Sequence, residues 1–110
     1  MKKIILLMLL AASPALAHAK LTSSDPAANA SIKPPKLIKL IFSENLEPAF
    51  SGAELTDAAG KTVPVSKSVG GTTITLLPLS LRPGAYKVSW HSVGHDTHRV
   101  GGSFRFTVVN

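Results

Sequence analysis

Ala85-Tyr-Lys-Val-Ser-Trp90 and Ser103-Phe-Arg-Phe-Thr-Val-Val109 are the two stretches whose reading decides the fold. In the first, Tyr86, Val88 and Trp90 are two residues apart; in the second, Phe104, Phe106 and Val108 are. A period of two puts successive side chains on opposite faces of a strand, so each run has one apolar face and one polar face. Both predict half-buried strands that supply much of the core. Leu81-Arg-Pro-Gly84, just upstream, carries the Pro-Gly signal of a turn.

The same reading extends outward. Lys36-Leu-Ile-Lys-Leu-Ile-Phe42 is rich in β-formers, and so is Thr72-Thr-Ile-Thr-Leu-Leu77 after the Gly70-Gly71 break. Ala53 to Thr56 is a short strand, Asp57-Ala-Ala-Gly60 a turn, and Lys61 to Val65 the returning arm of a hairpin. Prolines 26, 34, 35, 48, 64, 78 and 83 suit loops and strand edges, and no segment after residue 17 has a helical period. Short strands at this spacing predict an all-β domain, a small antiparallel sandwich or Greek-key barrel.

The chain opens Met1-Lys2-Lys3, runs apolar from Ile4 to Ala12, and continues Ser13-Pro-Ala-Leu-Ala17. A basic start, a short apolar run and an Ala-x-Ala site make a secretory signal peptide. The run is shorter than the roughly 20 residues a membrane span needs. The expected organisation is a leader over residues 1–17 and one domain over 18–110, exported to the bacterial periplasm. Losing Lys2 and Lys3 lowers the net charge from +6 to +4. The remaining lysines and arginines are scattered, which fits a solvated surface rather than a nucleic-acid face. There is no cysteine. That excludes disulfides, thiolate-held zinc, iron–sulfur clusters and blue copper.

Cleavage after Ala17 makes His18 the first residue. A terminal histidine brings an α-amine and an imidazole to one ion, and Cu(II) favours nitrogen-rich tetragonal sites. The other histidines, His91, His95 and His98, lie between Trp90 and Gly102. Asp96 and His98 are two apart, so on an extended segment they face one side and complete an N₃O set with His18. Alternation points His95 away from that set. His91 precedes the presumed loop and either packs or faces solvent. Glu44, in Phe42-Ser-Glu-Asn-Leu-Glu-Pro48, has two open readings: an acid that orients a ligand or accepts a hydrogen bond from the terminal amine, or an exposed acid at a strand end. Met1 and Met8, the only methionines, leave with the leader, so no sulfur donor remains for Cu(I). No Gly-x-Ser-x-Gly elbow and no phosphate-cradling loop is present.

Four blocks in order resemble the CopC family of periplasmic copper-resistance proteins: His18-Ala-Lys-Leu-Thr-Ser-Ser-Asp-Pro26, Leu40-Ile-Phe-Ser-Glu-Asn-Leu46 with Phe50-Ser-Gly52, Leu81 to Trp90, and Asp96-Thr-His98 with Gly102 to Val108. The resemblance implies an immunoglobulin-like Greek-key sandwich or barrel. It implies Cu(II) binding, with His18, Asp96 and His98 as ligands and Glu44 matching a family acid near the same site; the function expected is a non-enzymatic, monomeric Cu(II) carrier or buffer. A CopD-like inner-membrane protein is the partner it suggests. Relatives with a second, Cu(I) site carry a methionine-rich loop with histidine; Ala58 to Ser66 has neither, which implies a Cu(II)-only protein. Arg99 also stands where relatives commonly have proline. Two other functions fit the residues: a copper oxygenase with a histidine brace, and a metal-free interaction module. The few aromatics, one Trp, one Tyr and four Phe, leave the oxygenase little surface for stacking a sugar.

Overall fold

A computed structural model describes residues 18–110 of the chain; the leader expected over residues 1–17 lies outside the described residues. Nine strands form two sheets. They are β1 (Leu21–Asp25), β2 (Ser31–Ile32), β3 (Ile38–Phe42), β4 (Gly52–Asp57), β5 (Thr62–Val63), β6 (Val65–Gly70), β7 (Thr73–Pro78), β8 (Gly84–Val93) and β9 (Arg99–Val108). One sheet has the order β1-β3-β7-β6 and the other β2-β9-β8-β4-β5. Because the chain crosses between sheets after β1, β2, β3, β5 and β7, the two layers are sewn together as the expected Greek-key sandwich. Among the described residues there is no helix.

Alternation builds the core. Ile38, Leu40 and Phe42 of β3 face inward beside Ile74 and Leu76 of β7. Register places Ile38 opposite Leu76 and Leu40 opposite Ile74. From the other sheet, Val88 meets Leu55 on one side and Phe104 on the other. Tyr86 and Phe106 are opposite one another and stack with ring centroids 5.7 Å apart. Burying each such side chain contributes about 1.5–3 kcal/mol, so these paired positions fix the register: a slip of one residue would turn them to solvent.

Three local features depart from the sequence reading. The expected hairpin arm Lys61 to Val65 is divided. Thr62 and Val63 pair with β4, whereas Val65 onward pairs with β7 in the opposite sheet. Pro64, which has no N–H to give to a ladder, stands where the chain changes sheets. Secondly, β2 runs parallel to β9, so the second sheet is not wholly antiparallel. Asn29, at φ 68°, turns the chain there, and the Thr107 and Val109 N–H groups donate to the Ala30 and Ile32 carbonyls at 2.8 Å each. Thirdly, β8 and β9 are each longer than the alternating runs that announced them. They pair continuously from Gly84 opposite Val108 to Val93 opposite Arg99. That extension carries the strands past the core to the metal-ligand candidates.

The Tyr86 hydroxyl donates to the Arg82 carbonyl at 2.7 Å, tying the start of β8 to the turn before it. This is the tyrosine corner of sandwich folds. Tyr86→Phe removes that bond and leaves the ring in place. It is expected to cost about 1 kcal/mol, read as a lower urea midpoint with an unchanged slope in denaturation followed by Trp90 fluorescence.

Candidate metal centre

The β8–β9 ladder ends at the Val93–Arg99 pair, so residues 94–98 form the loop at the hairpin tip. Asp96 and His98 both lie in it. They converge, but not as expected: the segment is a tight loop, not an extended strand. The Thr97 N–H donates to the Gly94 carbonyl at 3.1 Å. Thr97 has φ 65°, a left-handed conformation that β-branched residues rarely adopt. The His98 N–H donates to Asp96 Oδ1 at 3.1 Å, folding His98 back over the carboxylate. A strained residue between two candidate ligands is a common mark of a functional loop.

His18 arrives from the other sheet, 78 residues away in sequence. Its Nδ1 lies 2.8 Å from Asp96 Oδ2, and His98 Nδ1 lies 3.2 Å from the same oxygen. The two rings meet edge to face, with centroids 4.9 Å apart. One donor atom from each of His18, Asp96 and His98 falls within 4.8 Å of the others. That spacing lets a single ion replace the hydrogen bonds that now join them. Two imidazoles and a carboxylate, with no sulfur, make a donor set suited to Cu(II).

Partial burial of Asp96 pushes its carboxyl up. The hydrogen bonds from the His98 backbone and from the His18 and His98 rings, with the nearby His18 charge, outweigh burial and hold it below the usual carboxylate value. The group therefore stays ionised through mild acid, ready to accept a cation. Because folding lowers its pKa, its contribution to stability is complete above the ordinary carboxylate value and fades as pH falls through the lowered one.

Glu44 is outside the three-residue group. Its Oε1 accepts the His95 N–H at 3.2 Å. Its carboxylate also packs on Gly94, where an added Cβ would come within 2.5 Å of Oε1. Glu44 thus braces the loop from behind, and glycine at 94 makes room for it. His95 is exposed. His91 lies on β8 between Gly52 and Gly101 of the flanking strands, away from the group. Sequence reasoning missed the serines that hold the surrounding backbone. Ser51 Oγ accepts the Val93 N–H at 3.0 Å, securing the end of β8. Ser92 and Ser43 hold the segment that carries His18. A signal for Ser92 was present: it continues the inward series Tyr86, Val88, Trp90, where an apolar residue is expected.

Residues 21–109 match the CopC domain, a stretch that takes in Asp96 and His98 and begins just after His18. The chain belongs to the CopC family. Members of this family are copper-binding carriers, not enzymes. The chain is similar to protein YobA of Escherichia coli K12, with 42% identity over 84% of this chain and 79% of that one. It is 39% identical to copper resistance protein C of Xanthomonas campestris pv. juglandis, covering 90% of this chain and 86% of the relative. The crystal structure of PcoC, a methionine-rich copper resistance protein from Escherichia coli, superposes with a TM-score of 0.79 at 37% identity, covering 84% of this chain and all of that one. The CopC sandwich is therefore a shared frame, and the sulfur-free stretch Ala58 to Ser66 is a feature of this sequence.

Burial, then the Arg99 and Lys67 charges, lowers the His91 pKa from 6.5. The neutral ring is the form that folding favours, so its contribution is complete above pH 6.5 and is lost as pH falls through the lowered value. Arg99→Gln removes one of the opposing charges. The His91 ring is expected to titrate higher in that variant than in the parent, measured by NMR of the imidazole resonances.

Proposed function

We propose that the exported, processed chain is a periplasmic Cu(II) carrier or buffer whose first residue is His18. The observation that carries this reading is the convergence of His18 Nδ1 and His98 Nδ1 on one oxygen of Asp96, at 2.8 and 3.2 Å. Cleavage after Ala17 adds the α-amine, so His18 closes on the ion through two nitrogens while Asp96 and His98 complete a tetragonal N₃O set. An α-amine has a pKa near 8, so at neutral pH protons compete modestly and metal binding displaces them, and acid releases the ion. Glu44 stands one step outside this set, and its carboxylate is the acceptor we assign to the terminal amine.

With no thioether or thiolate in the domain, Cu(II) is the state held, and the ion leaves by ligand exchange rather than by passing to a second, sulfur-lined site. Copper is cargo here, so the matching recipient is a CopD-like membrane protein facing the same compartment. A +4 monomer that offers its ligands at one exposed tip, with the His98 side chain 72% accessible, suits hand-over. The family membership and the copper-resistance relatives support this reading.

The test is a Cu(II) titration followed by visible absorption and electron paramagnetic resonance. It compares the protein processed at His18, His98→Ala, and a form with one residue added before His18. The processed protein is expected to bind one ion with nitrogen hyperfine structure. Either change is expected to weaken binding at least about 100-fold, the scale of losing one well-placed ligand. Equal affinity in the processed and extended forms would refute the amine–imidazole chelate, and so would mass spectrometry showing a different first residue.

A further inference from the structure

The proposed cleavage makes His18 the chain terminus, ordinarily the loosest part of a domain. Residues 18–20, ahead of β1, are instead held at four points. Ser92 Oγ donates to the Ala19 carbonyl at 2.6 Å. Ser43 Oγ accepts the Lys20 N–H at 2.9 Å and donates to the His18 carbonyl at 3.2 Å. The Ser43 N–H donates to the Lys20 carbonyl at 2.8 Å.

The arrangement is specific. Ser92 and Ala19 are both 0% exposed. A buried hydroxyl is unfavourable unless bonded, and at an inward position of β8 an apolar side chain would otherwise serve better. Ala19 is small enough to enter the core, where its methyl would stand 3.3 Å from a Cβ on Gly94. Just beyond, β1 bulges at Thr22: Leu21 is opposite Phe42 and Ser23 opposite Ile41, leaving Thr22 without a partner. Bulges re-aim a strand. Here the bulge and the serines together direct the residue before Ala19 toward the β8–β9 loop.

We propose that Ser92 and Ser43 are positioning residues for the metal, holding residues 18–20 in their bound arrangement before copper arrives. The inference rests on the reading of His18 as a Cu(II) ligand. Neither serine touches the ion; each acts through the backbone beside His18. Consecutive Cα atoms are about 3.8 Å apart, so fixing Ala19 confines His18 to a small region next to Asp96. Without the anchors, binding must also order the terminal backbone. Fixing even one residue is enough to shift an equilibrium roughly tenfold.

The test uses protein exported with its own leader, its first residue verified by mass spectrometry. Cu(II) affinity is measured by competition with a chromophoric chelator, and the melting midpoint of the metal-free protein is recorded in parallel. Ser92→Ala is expected to raise the dissociation constant about tenfold and Ser43→Ala several-fold. Both should give the parent's electron paramagnetic resonance spectrum at saturating copper, because the ligands are unchanged. Ser43→Thr, which keeps the hydroxyl, is expected to restore parent affinity. A purely structural role predicts the opposite pattern, a lower melting midpoint with unaltered affinity, and that result in both alanine variants would overturn the proposal. If Ser92→Ala does not fold, the exposed Ser43 pair decides by itself: equal affinities for Ala and Thr refute the proposal, and rescue by Thr supports it. A parent protein that takes no Cu(II) would overturn the copper reading itself and this inference with it.

Discussion

The β8–β9 ladder is the constraint on which the rest depends. Ten residue pairs run without interruption from Gly84–Val108 to Val93–Arg99. Its inward positions, Tyr86, Val88, Phe106 and Val108, form one wall of the core. Its far end presents Asp96 and His98 on a loop of five residues. Packing and chemistry therefore share one register. A slip that exposed Phe106 would also move the loop, because the same hydrogen bonds locate both.

The candidate centre is also a joint between the layers. Asp96 and His98 lie on the loop that joins β8 and β9 of the β2-β9-β8-β4-β5 sheet, and His18 precedes β1, an edge strand of the other. The site is assembled only when the sheets are packed. A ligand that binds this arrangement and not the unfolded chain stabilises the whole sandwich by mass action. The metal-free centre is already tied together: two rings share one carboxylate oxygen, and that carboxylate also accepts a backbone N–H. Among the described residues no buried side-chain nitrogen or oxygen lacks a partner. These hydrogen bonds hold the candidate donors in one arrangement, so an ion bound there would displace protons and hydrogen bonds.

Much of the fold was legible because the central strands alternate cleanly. Lys36 to Phe42, Thr72 to Leu77, Ala85 to Trp90 and Ser103 to Val109 each gave a strand at nearly its observed position. The strands that escaped notice, β1, β2 and β6, lie at sheet edges. Leu21-Thr-Ser-Ser-Asp25 and Val65-Ser-Lys-Ser-Val-Gly70 are mostly polar because edge strands bury little. With little burial, they print no clear pattern on the sequence. For the centre, no local pattern signals the turn that brings Asp96 and His98 together. The spacing suggested an extended segment, whereas Thr97 in a left-handed conformation and a carboxylate-to-backbone hydrogen bond do the work.

Residue type and spacing alone determined the all-β class, the absence of any sulfur ligand from residues 18–110 and the candidate donors, since these follow from local periodicity and side-chain chemistry. Tertiary structure alone decided that His18 lies beside Asp96, that Glu44 braces the loop behind Gly94, and that His91 points elsewhere. Those facts depend on which strands of opposite sheets come together, and strand pairing is set by the summed burial of the whole core. No local stretch of sequence contains that sum, and so a contact across 78 residues that the donor chemistry and the family resemblance led one to expect takes its geometry only from the folded chain.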